Sequence, residues 1–290
     1  MSNILLHDTQ TMTRLREFAF GNEDFEALRE LVKRLTGINL SDQKRELVYG
    51  RLARRLRALQ LRSFAEYRDV LAQDGGNEIV QFCNALTTNL TAFFREPHHF
   101  AYLQEHVLKT LQAISAGSRR VRIWSAGCST GEEAYSLAIT VLEAFPDLAR
   151  WDVRILATDL DSDVLERGRR GLYAADRLKN VSPQRLARFF VERPGEDGPC
   201  YEAAAALKAL ITFKQLNLMH ALPMRGPLHA IFCRNVVIYF DKDTQRDLFT
   251  RISRLQRPGD PLFLGHSESL FKVSEEYALI GKTIYRRAFR

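Results

Sequence analysis

The residues from Trp124 to Glu133 combine glycines and acids in a pattern that is typical of a ligand-binding turn. An apolar run at 121–124 leads into them, and a helical pattern from Gly131 through Phe145 follows. A strand, a glycine turn and a helix N-terminus form the phosphate or nucleoside cradle of an α/β fold. Because glycine lets the backbone turn sharply and approach a ligand closely, we predict a nucleoside- or phosphate-binding turn here.

The spacing of Gly127 and Gly131 narrows the choice of ligand. Dinucleotide-binding turns have Gly-x-Gly-x-x-Gly, and phosphate-binding loops end in Gly-Lys-Ser/Thr. This chain has Gly-x-x-x-Gly followed by Glu132 and Glu133, and two acids suit a ligand with hydroxyls or positive charge rather than a pyrophosphate. We therefore predict S-adenosyl-L-methionine as the cofactor, with S-adenosyl-L-homocysteine as its product.

Polar residues also follow the ends of other predicted strands. In open α/β sheets the ligand lies beyond the carboxyl ends of the strands. The four places are the turn at 126–131, Asp159, Asn217-Leu218 and Arg234-Asn235. Asp159 by itself could cap a helix and Arg234 could pair with any surface acid, but four such features at one sheet edge favour a nucleoside site. An acid after the second strand accepts hydrogen bonds from ribose hydroxyls.

The elements that must position these residues change in character along the chain. Residues 22–115 have helical patterns, and the start signals are Asn22, Ser41, the capping box at Ser63, Asn77 and Pro97. After residue 118, short apolar runs alternate with helical patterns, which predicts a parallel sheet with helices on both faces. The predicted fold is an α/β, Rossmann-like methyltransferase sheet with a small antiparallel β insert and an all-α N-terminal domain.

These patterns predict three segments. Residues 1–90 form an all-helical domain, residues 91–118 a linker helix region, and residues 119–290 the cofactor-binding domain. The turn-rich segment 190–213 interrupts the alternation and predicts the antiparallel insert, although Ala203–Leu210 could equally form a short helix.

Positive charge is concentrated in the N-terminal part. Residues 29–68 contain eleven Lys and Arg and four Asp and Glu, and the excess of seven equals the net charge of +7 for the whole chain. On a helix predicted over 41–62, four cations lie within about 40° of one another, beside an apolar stripe. The cations are Lys44, Arg51, Arg55 and Arg62, and the stripe is Val48, Leu52, Leu56 and Leu59. A localised basic face predicts an acidic partner, although a merely solvated face is the alternative.

Other features limit the class of protein. No run of eighteen apolar residues predicts a transmembrane helix, and residues 1–8 lack the pattern of a secretory signal. The four cysteines, Cys83, Cys128, Cys200 and Cys233, contain no Cys-x-x-Cys pair, so we interpret them as reduced thiols of a cytoplasmic protein. His98-His99 has no further ligand spacing, so we interpret it as structural and expect no metal.

Four blocks of sequence resemble a known family, the CheR-type chemotaxis methyltransferases. The blocks are 87–96 (TTNLTAFFRE), 129–133 (STGEE), 157–161 (ATDLD) and 232–240 (FCRNVVIYF). The segment 265–269 (GHSES) is similar to the late-strand motif of that family. The resemblance covers residues 22 to 290 and implies esterification of glutamate side chains on bacterial chemoreceptors with S-adenosylmethionine, in chemotaxis signal transduction.

The resemblance also implies a role for each matching residue. Asn89, Thr91 and Arg95 would reach the cofactor from the interdomain segment, beside the turn at Gly127. Glu133, with Glu132 as the substitute, would bind the nucleoside or the amino group of the methionine end, and Asp159 would bind the ribose. Asn217 and Leu218 would flank the adenine, and Arg234 and Asn235 would line the methionine end. Tyr239 would face the reacting methyl group, so Arg95 and Tyr239 are the predicted catalytic residues.

Methyl transfer to glutamate needs no general base, because a carboxyl with a reference pKa of about 4.3 is already ionised at pH 7. Arg95 would orient the incoming carboxylate, with the alternative that Arg95 only pairs with the cofactor and Tyr239 only packs. The resemblance provides an acidic partner for the basic helix, the cytoplasmic, glutamate-rich helical region of chemoreceptors. A C-terminal tether peptide of the receptor is a further candidate partner, for the insert.

Two other functions compete with receptor methylation. The basic face suggests a nucleic-acid methyltransferase, but Arg234-Asn235-Val236-Val237 stands where such enzymes have Asn/Asp-Pro-Pro-Tyr/Phe. A catalytically silent, cofactor-binding signalling adaptor is the third possibility, and the presence of both Arg95 and Tyr239 argues against it. We therefore expect no nucleic-acid partner and no insertion into a membrane.

Overall fold

The computed structural model describes residues 16–74, 76–114, 119–195 and 198–289. The expectation about residues 1–8, Gly75 of a predicted turn and the end of the linker at 115–118 lie outside them. Within the described part of the chain, no helix is long and apolar enough to cross a membrane. The four cysteines are free thiols, of which only Cys200 is partly exposed.

The N-terminal region consists of four helices around their own apolar core. They are α1 (Asn22–Thr36), α2 (Arg45–Ala58), α3 (Phe64–Gln73) and α4 (Asn77–Leu86), and a 3₁₀ turn at Asp42–Lys44 precedes α2. Phe25, Leu28 and Val32 lie on the inward face of α1 and are at most 2% exposed. Burial of such amphipathic faces, rather than helix propensity, provides most of the stability of helices this short.

The start signals of these helices are only partly as predicted. The Ser63 hydroxyl caps α3 by accepting from the Glu66 main-chain N–H at 3.1 Å. The Glu66 carboxylate accepts from the Arg62 N–H at 2.8 Å and not from that of Ser63, so only half of the predicted capping box forms. Asn22 and Asn77 are instead the first helical residues, each preceded by a glycine. Asp74 accepts from the main-chain N–H of Ile79 at 2.8 Å, so an acid outside α4 replaces the predicted Asn77 cap.

The helix predicted over 41–62 is shorter at both ends. Gln60 adopts a left-handed φ of 58°, and the Leu61 N–H bonds to the Leu56 carbonyl oxygen at 2.9 Å. This is the Schellman termination, which more often uses glycine at the left-handed position. Arg62 therefore lies beyond α2, and Leu59, at 36% exposure, is not part of the buried stripe.

A continuous helical stretch connects the two regions. It comprises α5 (Pro97–Tyr102), a π-helical segment (Leu103–Leu108) and α6 (Lys109–Ala113). The prediction of a helix that begins at Pro97 is confirmed. Leu103 and Leu108 are fully buried in the core of the sheet region, so this linker is packed rather than loose.

The second region is a seven-stranded sheet with helices on both faces. The first part comprises β1 (Arg120–Ser125), α7 (Glu132–Ala144), β2 (Asp152–Asp159), α8 (Ser162–Arg170), β3 (Leu172–Ala174), α9 (Pro183–Phe189), β4 (Phe190–Arg193), β5 (Cys200–Ala203) and α10 (Ala205–Lys208). The second part comprises β6 (Ile211–Gln215), β7 (Ala230–Cys233), α11 (Lys242–Ser253), β8 (Pro261–Leu264), β9 (Tyr277–Gly281) and β10 (Ile284–Arg287), with a 3₁₀ turn at Val237–Tyr239.

The strand order of the main sheet is β6-β2-β1-β7-β8-β10-β9. The first five strands in that order are parallel, and β10 is antiparallel to both of its neighbours. All residues of β7 and β8 are buried, as expected for strands covered on both faces. The predicted α/β sheet with an all-α N-terminal domain is confirmed, and the carboxyl ends of β6, β2, β1 and β7 form one edge.

The small antiparallel insert exists, but its boundaries differ from the predicted 190–213. Its strand order is β3-β5-β4, so its third strand is contributed by residues 172–174, which precede the predicted segment. Residues 211–213 belong instead to β6, which pairs in parallel with β2. Three residues are too few to show an alternating pattern, which is why β3 escaped prediction. Residues 205–208 form the short helix that was left as the alternative.

Candidate active site

A cleft of about 960 Å³, including space open to solvent, lies at the carboxyl edge of the parallel strands. The interdomain segment 86–92 and residues of α1 close it from the side of the helical region. All of the predicted cofactor and catalytic residues line it. They are Asn89, Thr91, Arg95, Gly127, Glu133, Asp159, Asn217, Leu218, Arg234, Asn235 and Tyr239. The structure therefore brings together residues that are up to 150 positions apart in the sequence.

The glycine turn after β1 is fixed to both neighbouring strands. The Ala126 N–H bonds to the Phe232 carbonyl oxygen at 2.8 Å, and the Cys128 N–H bonds to that of Thr158 at 2.9 Å. A Cβ atom on Gly127 would lie 2.2 Å from Val236 Cγ2, so a larger residue here would force the Val236 side chain to move. The turn thus packs closely on the loop that carries Asn235.

The structure distinguishes the two acids at the start of α7. Glu133 lines the cleft, accepts from the Ser125 hydroxyl at 2.6 Å and pairs with Arg234 at 2.9 Å. Burial raises the pKa of the Glu133 carboxyl, and Arg234 opposes that rise. Glu132 is fully buried away from the cleft, where Arg177 binds it. Of the two candidates, only Glu133 is placed to contact a ligand.

Asp159 is the last residue of β2 and points a partly bound carboxylate at the cleft. It accepts from the Ser129 N–H at 2.8 Å and from the Asp161 N–H at 3.1 Å. Burial raises the pKa of the Asp159 carboxyl to about 6. It is therefore ionised at pH 7 and retains lone pairs that can accept from ligand hydroxyls.

Arg234 is the buried cation of the cleft, with only 5% of its surface exposed. It pairs with Glu133 at 2.9 Å, lies 3.4 Å from Glu96 Oε2 and donates to the main-chain oxygen of Arg95. Its Nε is buried and has no hydrogen-bond partner among the described residues. Burial alone would raise the pKa of the Glu96 carboxyl, but Arg234 and His266 hold that pKa below its usual value.

The interdomain segment is fastened to the sheet by an acid that the sequence did not single out. The Asp161 carboxylate accepts from the Asn89 amide at 2.7 Å and from the Thr87 hydroxyl at 2.9 Å. Its other oxygen accepts from the Asp163 N–H at 2.9 Å and caps α8. Asp161 lies in the ATDLD block two residues after Asp159, and that spacing was the available signal.

The two predicted catalytic residues, Arg95 and Tyr239, have polar groups that remain available to a ligand. Arg95 donates to the Leu90 carbonyl oxygen at 3.0 Å and pairs with no carboxylate in the described part of the chain. The Tyr239 main-chain oxygen accepts from the Asn39 N–H at 2.7 Å, which ties its turn to the helical region. Within the described ranges, no residue makes a hydrogen bond to the Tyr239 hydroxyl.

Asn217 lies in the cleft wall with its side chain already engaged. Its amide donates to the Leu35 carbonyl oxygen of α1 at 2.6 Å and accepts from the Met219 N–H at 3.0 Å. The neighbouring Leu218 is buried and belongs to the apolar cluster that includes Trp124 and Phe249. These two residues therefore shape the wall and join the two regions, rather than offering free side-chain donors.

The predicted basic stripe is not presented as one surface. Arg55 forms a two-point ion pair with Glu78, a buried acid that also accepts from the Tyr67 hydroxyl at 2.8 Å. Arg51 donates to the carbonyl oxygens of Ala85 and Thr87, at the end of α4. The sequence spacing places these cations on one helix face. It does not show that groups of α4 bind Arg51 and Arg55.

Lys44 and Arg62 are exposed, as expected of a docking surface. Arg54, which the stripe omitted, is also exposed and lies close enough to lower the pKa of Arg51, an effect added to that of burial. Neither Lys44, Arg54 nor Arg62 forms an ion pair within the described residues. These three cations, rather than the predicted four, are free to meet an acidic partner.

His98 and His99 lie beside the cleft and not in it. Glu96, His98 and His99 place ligand-type atoms within 4.8 Å of one another, a separation that a metal ion could bridge. Arg234 approaches Glu96 at 3.4 Å, and its positive charge opposes a second cation there. Both imidazoles bond to the Lys282 carbonyl oxygen, at 3.0 and 3.1 Å, and burial lowers the pKa of His99 to about 3. Both imidazoles are thus used within the fold, and the expectation of no metal here stays a prediction.

Comparison with known proteins identifies the family to which this architecture belongs. The CheR methyltransferase all-alpha domain matches residues 23–87, and the CheR methyltransferase SAM binding domain matches residues 89–286. The chain belongs to the CheR methyltransferase family. The two matched domains meet at the interdomain segment that closes the cleft, whereas the predicted limits at residues 90 and 118 stay a prediction.

Curated relatives of the same family match over nearly their whole length. Chemotaxis protein methyltransferase 2 of Pseudomonas aeruginosa is 46% identical over 94% of this chain and 96% of its own. The chemotaxis protein methyltransferases of Salmonella typhimurium and Escherichia coli are 42% and 39% identical, each over 98% of this chain, and over 94% and 98% of their own. The similarity therefore extends across both regions of this chain.

The CheR chain is therefore an S-adenosylmethionine-dependent methyltransferase, and the donor set of its cleft fits that cofactor. Asp159 and Glu133 offer acceptors for hydroxyl and ammonium groups, and the buried Arg234 offers a guanidinium with an unused Nε. A carboxylate, an amino group and ribose hydroxyls are among the polar groups of S-adenosylmethionine. The buried Nε of Arg234 has no hydrogen-bond partner among the described residues, so a ligand acceptor would satisfy it.

Proposed function

We propose that this protein methylates glutamate side chains in the cytoplasmic, glutamate-rich helical region of bacterial chemoreceptors. The observation that carries the proposal is the presence of both Arg95 and Tyr239 in the lining of the cofactor cleft. Arg95 is a cation without a carboxylate partner in the described ranges, and Tyr239 has a free hydroxyl. These are the groups needed to receive a carboxylate from outside. The names of the relatives, chemotaxis protein methyltransferases, agree with a receptor as substrate.

Bound S-adenosylmethionine supplies an electrophilic methyl group on a sulfonium and leaves as S-adenosyl-L-homocysteine. Because the acceptor carboxylate is already ionised at pH 7, the protein needs to position it rather than deprotonate it. Arg95 orients its two oxygens, and Tyr239 donates a weaker hydrogen bond that leaves a lone pair free for attack. Closure of the cleft by the interdomain segment excludes water.

The fixed cation of the cleft, Arg234, has a different task from Arg95. Arg234 is held by Glu133 and Glu96, so its charge is partly compensated before any ligand binds. We assign Arg234 and Asn235 to the methionine end of the cofactor, Glu133 to its amino group and Asp159 to its ribose. Asn89 and Thr91 contribute from the interdomain segment. Gly127 gives the ligand close access to the backbone, and Asn217 and Leu218 form the wall beside the adenine.

Docking of the receptor is assigned to the exposed cations of the helical region. Lys44, Arg54 and Arg62 have no acidic partner in the described part of the chain, and Arg54 neighbours Arg51, which faces Tyr239. A glutamate-rich helix would neutralise them while bringing an acceptor to the cleft. The small antiparallel sheet, whose outer strands expose Leu172 and Val191, is the candidate site for a tether peptide of the receptor.

The experiment measures transfer of a tritiated methyl group from S-adenosylmethionine to receptor-enriched membranes and, in parallel, to RNA. We expect label in the receptor that is released as methanol by mild base, since an ester is base-labile. A receptor whose target glutamates are replaced by alanine is the control and should remain unlabelled. Base-stable label in RNA would overturn the proposal, and cofactor binding without any transfer would favour a signalling adaptor.

A further inference from the structure

The motif at 265–269 has no role in the chemistry described so far, although its glutamate is among the most heavily hydrogen-bonded side chains of the sheet region. Glu268 is 5% exposed. Its Oε2 accepts from the main-chain N–H groups of Gly265 at 2.6 Å and Asn235 at 2.8 Å. Its Oε1 accepts from those of Val236 and Val237 at 2.9 Å and Ile238 at 3.2 Å.

The charge of Glu268 is compensated by the backbone. No lysine, arginine or histidine in the described ranges pairs with this carboxylate. Five main-chain N–H groups donate hydrogen bonds to it instead. Burial raises the pKa of Glu268, and the backbone donors oppose that rise. Four of those donors are consecutive residues of a single loop. A carboxylate bound in this way fixes a backbone conformation that the loop's own side chains do not specify.

The loop held by Glu268 forms one wall of the active site. Asn235 has a left-handed φ of 59°, a conformation that non-glycine residues rarely adopt without support. Val236 fills the space above Gly127, and the same loop continues into the turn that ends at Tyr239. On the side of the loop away from Gly127, a Cβ atom on Gly265 would lie 2.4 Å from the side-chain nitrogen Nδ2 of Asn235. The loop therefore fits closely between the two glycines.

We propose that Glu268 is a positioning residue for methyl transfer, whose carboxylate holds residues 235–238 so that Asn235 and Tyr239 face the cleft. Glu268 itself does not line the cofactor cleft. Its effect is transmitted through the loop backbone. The inference rests on the proposed function, because its principal readout is turnover, and the amide-exchange measurement below is independent of that function.

The first variant is Glu268→Gln, which keeps the size of the side chain but replaces one acceptor oxygen with an amide donor. That NH₂ group would face N–H groups of the loop, so part of the network must break. We expect kcat to fall by about 10- to 100-fold, because small misplacements of catalytic groups have effects of that size. The KM for the receptor should change by less than about threefold, since docking uses the helical region.

Hydrogen exchange measured by mass spectrometry tests the anchoring without any assay of activity. Amides in peptides covering 234–240 should exchange faster in Glu268→Gln, whereas peptides from α2 and α3 should not change. Glu143→Gln is the matched control. Glu143 pairs with Arg185 at the far end of α7, so this change also converts a paired carboxylate to an amide. It should leave kcat and exchange at 234–240 as in the unmodified protein.

Gly265→Ala displaces the same loop from the other side and provides a second route to the result. If both changes act through the loop, the double variant should lose about as much kcat as the worse single variant. Independent, multiplicative losses would overturn the proposal, and so would normal kcat in Glu268→Gln. The proposal would also be overturned if the kcat of Glu268→Gln fell only in proportion to the fraction of protein that is unfolded. Absence of transfer by the unmodified protein, with the exchange result intact, would instead reject the proposed function.

Discussion

Glu78 of the helical region and the two acids Asp159 and Glu268 of the sheet region compensate their charge in different ways. In the helical region Glu78 is bound by the side chains of Arg55 and Tyr67, which come from two other helices. In the sheet region Asp159 and Glu268 are bound by main-chain N–H groups of turns. One arrangement joins helices to each other, and the other shapes loops at the carboxyl edge.

This difference has consequences for stability and for function. Loss of a buried side-chain pair leaves an uncompensated charge between elements and reduces the free energy of unfolding. Loss of a carboxylate that binds a loop backbone moves the residues carried by that loop, with a smaller effect on the rest of the fold. We therefore expect mutations in the first group to act on stability and mutations in the second to act on binding and turnover.

The largest effect is expected for Glu78→Ala, which leaves Arg55 unpaired and the buried Tyr67 hydroxyl without its acceptor. The free energy of unfolding, measured with urea, should fall by about 3 kcal/mol. Because Glu78 is remote from the cleft, kcat of the folded protein should not change. Glu17→Ala, which removes an exposed partner of Arg57, is the control and should leave the unfolding midpoint where it is. A loss of kcat at unchanged stability would contradict the comparison.

Next in size is Arg95→Ala, which removes the cation that receives the acceptor carboxylate. We expect kcat to fall roughly 100-fold, the usual result of removing one preorganised donor. Affinity for S-adenosyl-L-homocysteine, measured by calorimetry, should change much less, and Arg95→Lys should lie between the two because it keeps the charge without the fork. Equal losses of turnover and cofactor affinity would show that Arg95 only binds the cofactor.

A smaller effect is expected from pH. The pKa of Asp159 in the folded protein is raised to about 6, so the carboxylate that accepts from ribose hydroxyls is lost as pH falls through that value. Cofactor affinity should therefore decrease about tenfold between pH 7 and pH 5. Asp159→Asn should bind more weakly at pH 7 and lose this pH dependence. If the variant retains the same profile, another group in the cleft is responsible.

The smallest effect is expected at the exposed surface of the helical region. Replacement of Lys44, Arg54 and Arg62 by Glu should raise the KM for receptor about fivefold, because repulsion replaces attraction in docking. The difference should shrink at high salt, and affinity for S-adenosyl-L-homocysteine should remain unchanged. Arg225→Glu reverses an exposed charge in the sheet region and serves as the control. The docking assignment fails if the triple variant has an unaltered KM.

Several features of the fold and the site followed from the sequence because their causes are local. The Ser63 cap of α3 and Pro97 at the start of α5 are signals that a few neighbouring residues satisfy. Gly127 and Asp159 follow apolar runs, so the rule for carboxyl edges of parallel strands placed them in one cleft. The helical spacing of Phe25, Leu28 and Val32 likewise matches the buried face of α1.

Other features escaped prediction because their causes are distant in the chain. Asp161 and Glu268 bind groups 72 and 33 residues away, and no local pattern indicates those partners. Gln60 ends α2 in a left-handed conformation that usually calls for glycine, so the sequence overestimated that helix. Strand β3 is defined by its pairing with β5 and not by its own three residues.

The sequence by itself determined the two classes of architecture, the turn that receives the cofactor and the residues that meet in the cleft. These follow from apolar periodicity, helix capping and the direction of parallel strands. Each of these signals depends on residues that are close together in the sequence. Only the tertiary structure decided which charges are free. Arg51 and Arg55 are used between helices, whereas Arg95 and the exposed Arg54 are not, because the availability of a side chain depends on which distant groups reach it first.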